Sequence, residues 1–419
     1  MTSEPAGPEA DKRNEFLRFW PLLGASMAML FFVHGAYLYA LPFAYPEIIR
    51  DTGWSREQVT LIFSIGNFFG AVSAIIFGRL LDVIGDRRGI LLAAVANSIS
   101  VAALLLVSTL WQYYLVGALI GLTVPGVVAG IKIMLSRQFE RNPGSAVGIG
   151  LSGSNLAGIL IPTVTVMLLA TVGWREALAA TAIGTWVIAL PIFFLVTRNM
   201  PDDRPAKVPG AKRAPTLPML RDLAGGATFW KIGISLFLIS AIHFGTIQHN
   251  VLFLEQDRGI DLALIGALSG IAATVTIFAK AGFGWLFDRL SVRGVMIAYA
   301  LFIIDPLLSF VVSGPLTAAL FVMVRALGHG ALLIDAPVLA KQVYGNRNLG
   351  LPIGFLTAFV SMGGAVGPIV MGRIYSMTGS YDLAFILFSA FALVATLLIA
   401  RVQPTALLAA RNSQASKPN

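Results

Sequence analysis

The chain contains no cysteine in 419 residues, so disulfides, thiolate metal sites and a thiol nucleophile are excluded. Charge is scarce as well: 12% of residues are Asp, Glu, Lys or Arg, where a soluble domain carries about a quarter, and 57% are hydrophobic. A globular core wrapped in polar surface cannot be built from this composition. Only four histidines are present, and no HExxH sequence, phosphate-binding loop or dinucleotide fingerprint occurs, which argues against a metalloprotease, a nucleotide-driven pump and a redox enzyme. The net charge of +9 gathers into no patch, so nucleic-acid binding has nothing to rest on. No cofactor and no metal ion is implied.

What the sequence does contain is a succession of apolar runs, each long enough to cross about 30 Å of hydrocarbon as a helix. Twelve are predicted: 19–46, 57–82, 89–109, 112–136, 145–172, 175–197, 228–254, 261–287, 293–312, 315–340, 350–376 and 382–402. The expected organisation is a disordered tail (1–18), a six-helix bundle (19–197), a Pro-rich basic linker (198–227), a second six-helix bundle (228–402) and a final tail (403–419). With both termini cytoplasmic, 21 of the 30 Lys and Arg residues fall in cytoplasmic loops and tails, five lie within spans (Lys132, Lys231, Lys280, Arg325 and Arg373), and only Arg50, Arg56, Arg175 and Arg258 fall on the opposite side. The positive charge is thus a topology signal, placing a multi-pass protein in the inner (plasma) membrane. Ser55 and Asp261 stand at the starts of spans 2 and 8 as helix caps.

The two halves repeat at a constant offset of 206 residues. Gly78-Arg-Leu-Leu-Asp82-Val-Ile-Gly85-Asp-Arg87-Arg88 recurs as Gly284-Trp-Leu-Phe-Asp288-Arg-Leu-Ser-Val-Arg293, Asp51 and Gly53 recur as Asp257 and Gly259, and Gly158, Pro162 and Gly173 as Gly364, Pro368 and Gly379. Internal symmetry of this kind in a membrane chain points to a transporter whose substrate lies at the repeat interface.

The Gly78–Arg88 sequence is similar to the GxxxDxxGxRR loop signature of the major facilitator superfamily. The resemblance implies an all-α membrane protein with twelve transmembrane helices in two six-helix bundles, rocking around a cavity lined by spans 1, 4, 7 and 10. It also implies a conformational latch formed by Gly78, Asp82, Gly85, Arg87 and Arg88, with Gly284, Asp288 and Arg293 as its second copy. A narrower resemblance is to the monocarboxylate porter and oxalate/formate exchanger branches. Phe139, Arg141, Ala146, Gly148 and Gly153 match the porters' entry to span 5, with Asn142 and Pro143 replacing two basic residues. Lys280, in Ala279-Lys280-Ala281-Gly-Phe-Gly284, falls where both branches place the cation that pairs with substrate carboxylate. The porters' proton-carrying acid falls at Thr276, which cannot ionise.

Ionisable residues inside spans mark candidate sites, because hydrocarbon does not tolerate them on an exposed face. Lys280 lies about 12 Å of helix inside Asp288. It reads as an anion ligand on a small, polar stripe that includes Thr276, or alternatively as a lysine snorkelling to the interface. His243 in span 7 occupies the repeat position of Tyr37 in span 1; both are substrate-binding candidates or ordinary packed side chains, and Asn250 returns to the His243 face. Arg325, His329 and Asp335 in span 10, with Lys132 in span 4, are candidates for proton coupling or a gate; a Lys132–Asp335 contact competes with simple access to interfacial water. His34 and His249 are weaker candidates. Asp305, in the peripheral span 9, reads as a structural hydrogen bond to another helix.

Gly150-Leu-Ser152-Gly153 matches the GxSG of intramembrane serine proteases, but no histidine stands in the matching context, and helix packing is the competing explanation. The expected function is therefore not enzymatic: secondary active transport of a small organic anion, a monocarboxylate moved with protons, by alternating access. The expected partners are the lipid bilayer, the organic anion and protons, with no nucleic acid and a monomeric chain. Drug/proton antiport is the alternative, although the GxxxGPxxGG-type span 5 of such exporters is replaced here by Gly153-Ser-Asn-Leu-Ala-Gly158-Ile-Leu-Ile-Pro162.

Overall fold

The computed structural model describes residues 8–139, 143–200, 225–332, 335–344 and 350–402. The expectations for most of the linker, for the final tail, for the first seven residues and for Arg141 lie outside the described residues. Every regular element among the described residues is helical. Spans 1 to 6 are Glu15–Thr52, Arg56–Ile84, Asp86–Leu106, Leu110–Gln138, Pro143–Val172 and Trp174–Thr197. Spans 7 to 12 are Ala227–Asp257, Leu262–Leu290, Val292–Val311, Pro315–Ala331 continuing as Asp335–Tyr344, Gly350–Thr378 and Asp382–Ala400.

Two features of the helices depart from the sequence expectation by more than the position of a helix end. The helix leading into span 1 opens at Pro8, so residues 8–18, expected to belong to a disordered tail, are helical. Proline at a first helical position, with Glu9 and Asp11 near the positive end of the helix dipole, suits such a start. Span 10 is not continuous: its first helix ends at Ala331, Leu332 is extended, and a second helix opens at Asp335. Apolar residues carry through this break, so hydropathy alone does not register it.

The repeat is written in the backbone as well as in the sequence. Gly53 and Gly259 adopt φ of 72° and 64°, and Gly173 and Gly379 adopt 85° and 72°, reversing the chain at equivalent loops. Both predicted caps are present. The Ser55 hydroxyl accepts from the Gln58 amide while the Gln58 side chain accepts from the Ser55 amide, and Asp261 accepts from the Leu264 amide. Between spans 2 and 3, Gly85 holds φ 86°, and at its counterpart between spans 8 and 9 Ser291 holds φ 55°, the one non-glycine residue with positive φ among those described. The amide of Gly85 donates to the Leu81 carbonyl and that of Ser291 to the Phe287 carbonyl, the same bond 206 residues on.

Contacts divide the chain into two compact units: Met1–Ile48 with Phe68–Lys207, and Ile49–Asn67 with Val208–Asn419. In the first, Leu22, Met29, Ile90, Ile131, Leu135 and Phe193 build the core, and Phe139 packs against Phe16 and Phe19. Spans 1 and 5 touch backbone to backbone, since a Cβ at Gly153 would overlap the Met27 carbonyl oxygen. In the second unit, a Cβ at Gly367 would overlap the Ala241 carbonyl oxygen and one at Gly363 that of Phe237, so spans 7 and 11 approach equally closely. The hairpin 49–67 joins this unit through Arg56, which donates two hydrogen bonds to Asp257, at 2.9 and 2.7 Å, and stacks over Tyr375.

Candidate functional site

Ionisable side chains in the second unit form a column along spans 7 to 10, in three levels. At the middle level His243 and His329 stack with ring centroids 4.1 Å apart, and Lys280 lies within electrostatic reach of both. Close helix contact produces this meeting. A Cβ at Gly330 would overlap that of Ala279 and lie 3.0 Å from the Lys280 amide nitrogen, so the backbone of span 8 runs against span 10 beside His329. Thr276 ties the same helices together: its hydroxyl bonds to the Ala272 carbonyl of its own helix and, at 3.1 Å, to the Ala326 carbonyl of span 10. Thr276, expected among the substrate-binding groups, is thus buried with its proton engaged in helix packing.

One turn along span 10, Arg325 is buried, with 7% of its surface exposed, against Asp305, 3% exposed. Its Nε donates to the two Asp305 oxygens at 3.2 and 3.4 Å, and its Nη1 donates to Asn250 Oδ1 at 2.5 Å. The guanidinium carbon lies 4.2 Å from the Phe321 ring centroid. Nη2 is buried and has no hydrogen-bond partner among the described residues. A buried charge is tolerated only where it is paired and bonded, and here Nε and Nη1 are engaged while the Nη2 amino group is uncommitted. Asp305 therefore does form the interhelical bond expected of it, with a cation as its partner.

The third level lies beyond the break in span 10. Asp335 is fully buried, accepts from the Tyr299 hydroxyl at 3.0 Å and accepts from the Ala336 amide at the head of its helix. Tyr299 is a partner that the sequence did not suggest. His249 stands apart on another face, as its spacing from His243 requires. Its Nε2 donates to the Pro368 carbonyl at 3.1 Å, so its Nδ1 accepts from the Tyr381 hydroxyl at 2.9 Å.

In the first unit, Tyr37 is 9% exposed and its hydroxyl has no hydrogen-bond partner among the described residues. His34 sits in a π-helical turn, Leu30–Gly35, and hydrogen-bonds Ser154 at 2.8 Å. Lys132 is exposed on span 4. In the expected latch, Gly85 makes the turn described above, and Arg87 donates to the Arg198 carbonyl at 3.3 Å and lies over Phe194. Arg88 and Arg293 are exposed, and a Cβ at Gly284 would meet nothing within 4 Å, so close packing does not require that glycine. The side chains at Gly78, Asp82 and Asp288 lie outside the described residues. Asp86, adjacent to the motif glycine and 2% exposed, pairs with Arg137 at 2.7 Å, a bond between spans 3 and 4 that sequence reasoning missed. The GxSG match is a packing feature: Gly153 seats the Met27 backbone, and the Ser152 hydroxyl donates to the Ile149 carbonyl of its own helix.

The family model of the Major Facilitator Superfamily matches residues 27–334 and 251–418. The chain is 22% identical to a probable nitrate transporter, NarT, of Staphylococcus epidermidis, covering 84% of this chain and 88% of that one. It is 24% identical to human monocarboxylate transporter 11, covering 92% and 82%, and 24% identical to the multidrug resistance protein MdtG of Salmonella typhimurium, covering 83% and 87%. Among solved structures, a bacterial homologue of the human lysosomal transporter spinster, inward-facing and unoccupied, is similar with a TM-score of 0.67 at 17% identity, covering 91% of this chain and 93% of that chain. The nucleoside transporter NupG is similar at 0.73 and 14% identity, covering 90% and 98%. The structural likenesses concern the fold, and relatives and fold together are those of membrane transporters rather than enzymes.

Proposed function

Because the chain belongs to the Major Facilitator Superfamily, we propose that it moves a small organic monocarboxylate together with a proton, by alternating access across the plasma membrane. The observation that carries this reading is the half-buried Lys280 beside the stacked His243 and His329 rings. An ammonium group inside a membrane bundle needs water, a partner or an anion, and the two imidazoles beside it add hydrogen-bonding groups for a carboxylate. Lys280 binds the carboxylate, and His243 and His329 orient it. Tyr37, with its uncommitted hydroxyl, is the repeat counterpart of His243 in the first unit.

Relatives named for nitrate, for monocarboxylates and for multidrug resistance stand at similar identity, so the substrate class rests on the interior charge. That charge favours an anion over the cationic cargo of many exporters. The asymmetry of Lys and Arg supports cytoplasmic termini. The test is uptake of radiolabelled carboxylates, with nitrate in the same panel, into proteoliposomes with and without an imposed proton gradient. A charge-assisted hydrogen bond contributes roughly 1.5–3 kcal/mol, so Lys280→Gln is expected to weaken carboxylate affinity by roughly 10- to 150-fold. Unaltered affinity in that variant removes Lys280 from the site.

A further inference from the structure

Besides the anion ligands, the second unit holds a buried carboxylate placed to couple proton to anion. We infer that Asp305 is the proton-carrying group of this transporter and that Arg325 switches it by exchanging one anionic partner for another. The inference rests on the anion-transport reading and adds the residue that links the two cargoes.

The geometry supplies each element of the exchange. Arg325 Nε is committed to Asp305, Nη1 is committed to Asn250, and Nη2 is a buried donor with no partner among the described residues. A carboxylate reaching Nη2 competes with Asp305 for the same guanidinium. Arg325 and His329 are one turn apart on span 10, so an anion held at the Lys280 level is within about 6 Å of helix from the Arg325 level. As Arg325 turns to the incoming anion, Asp305 loses its counter-charge while remaining 3% exposed. An unpaired carboxylate in such a place is untenable, so it takes a proton from aqueous solution, forming one O–H bond. When the anion leaves, Arg325 returns to Asp305 and the proton is released. One anion and one proton are carried together, and the charge inside the bundle is unchanged throughout.

The surroundings leave this role to Arg325. From span 10 it is the charged group that faces Asp305, and it is the charged partner with which that carboxylate interacts. Span 7 contributes the neutral Asn250, bound to the same guanidinium. Span 12 contributes Ser389, whose hydroxyl donates to the Ile303 carbonyl, and the charged Lys280 of span 8 is engaged at the histidine level. The position at which the monocarboxylate porters place their proton carrier is Thr276 here, locked to the Ala326 carbonyl. The acid has in effect moved to span 9 while the cation that it serves stands in span 10.

Two measurements test the assignment separately from the substrate. Infrared difference spectra between acid and alkaline pH, recorded on purified protein without substrate, are expected to show the C=O stretch of a protonated buried carboxyl group that shifts in Asp305→Glu and vanishes in Asp305→Asn. In proteoliposomes, Asp305→Asn is expected to lose accumulation driven by a proton gradient while retaining substrate counterflow, which needs no net proton movement. A titrating carboxyl band that survives in Asp305→Asn, the absence of any such band in wild type, or gradient-driven accumulation in Asp305→Asn equal to wild type each overturns the inference. If Asp305→Asn does not fold, the wild-type and Asp305→Glu spectra decide. Absence of carboxylate counterflow in wild type would instead remove the proposed function, leaving the spectra to judge Asp305.

Discussion

The second glycine of the loop motif is Gly85 in the first copy and is replaced by Ser291 in the second, yet both positions adopt positive φ, with φ/ψ of 86°/154° and 55°/−132°. Glycine reaches such regions freely, whereas an L-residue with a Cβ is destabilised there by about 1–3 kcal/mol. Ser291→Gly removes that strain but makes the unfolded chain more flexible, which offsets about 0.4–1 kcal/mol. The net expectation is a gain of about 1 kcal/mol. In a chain of this length that corresponds to a rise of about 1–2 °C in the apparent unfolding midpoint, followed by tryptophan fluorescence in detergent at one fixed scan rate. The mirror substitution, Gly85→Ser, introduces the same strain and should lower the midpoint by about as much or more. Ser291→Ala is the control: it keeps the Cβ and its strain while removing the hydroxyl, and it should behave as wild type. A midpoint for Ser291→Gly at or below wild type, together with a harmless Gly85→Ser, would show that symmetry does not force these backbone conformations and would refute the argument.

The bidentate Arg56–Asp257 pair, with side chains 12% and 23% exposed and Arg56 stacked over Tyr375, is expected to give a coupling energy of about 1–3 kcal/mol in an Arg56→Gln/Asp257→Asn thermal-stability cycle, less at high salt. Strict additivity of the two variants would remove the pair from the stability of the second unit. Gly367→Ala would set a methyl group against the Ala241 backbone, 2.7 Å from its carbonyl carbon, where no flexible side chain can yield. A loss of about 1–3 kcal/mol and weakened carboxylate binding, through displacement of the neighbouring His243, should appear in thermal-shift titrations, and wild-type behaviour would contradict the close approach of spans 7 and 11.

The architecture was legible because its signals are local and periodic. Spans announce themselves by uninterrupted apolar length, and the caps at Ser55 and Asp261 by residue type beside an apolar run; both caps are formed. The break in span 10 was illegible for the same reason, since Leu332 is as apolar as the helix it ends. The second unit's claim on Ile49–Asn67 was equally hidden. It depends on Arg56 meeting Asp257, two residues 201 apart with nothing in their immediate sequence to link them.

Site legibility followed a different rule. His243, His329, Lys280 and Arg325 stood out because charge within hydrocarbon is conspicuous, and the structure brings the first three together and sets Arg325 one turn away. Their partners were obscured by helix rotation, which sequence spacing within one span does not fix relative to another. Asp305 was read as structural because span 9 is peripheral, yet a peripheral helix still turns one face inward, and on that face sits the counter-charge of Arg325. The first half supplies the contrast. The repeat counterpart of His329 is Thr123, which is bonded to Asn97 at 3.1 Å, a neutral polar pair between spans 3 and 4. Where the first unit joins neighbouring helices by a neutral hydrogen bond, the second places stacked imidazoles beside a lysine and, one turn away, a guanidinium shared with a carboxylate. Neutral bonds hold helices equally well before and after an anion arrives, whereas shared charges must redistribute when one does. The asymmetry therefore gathers interior charge in the second unit, and it makes Asp305, the counter-charge of Arg325, the decisive residue to titrate.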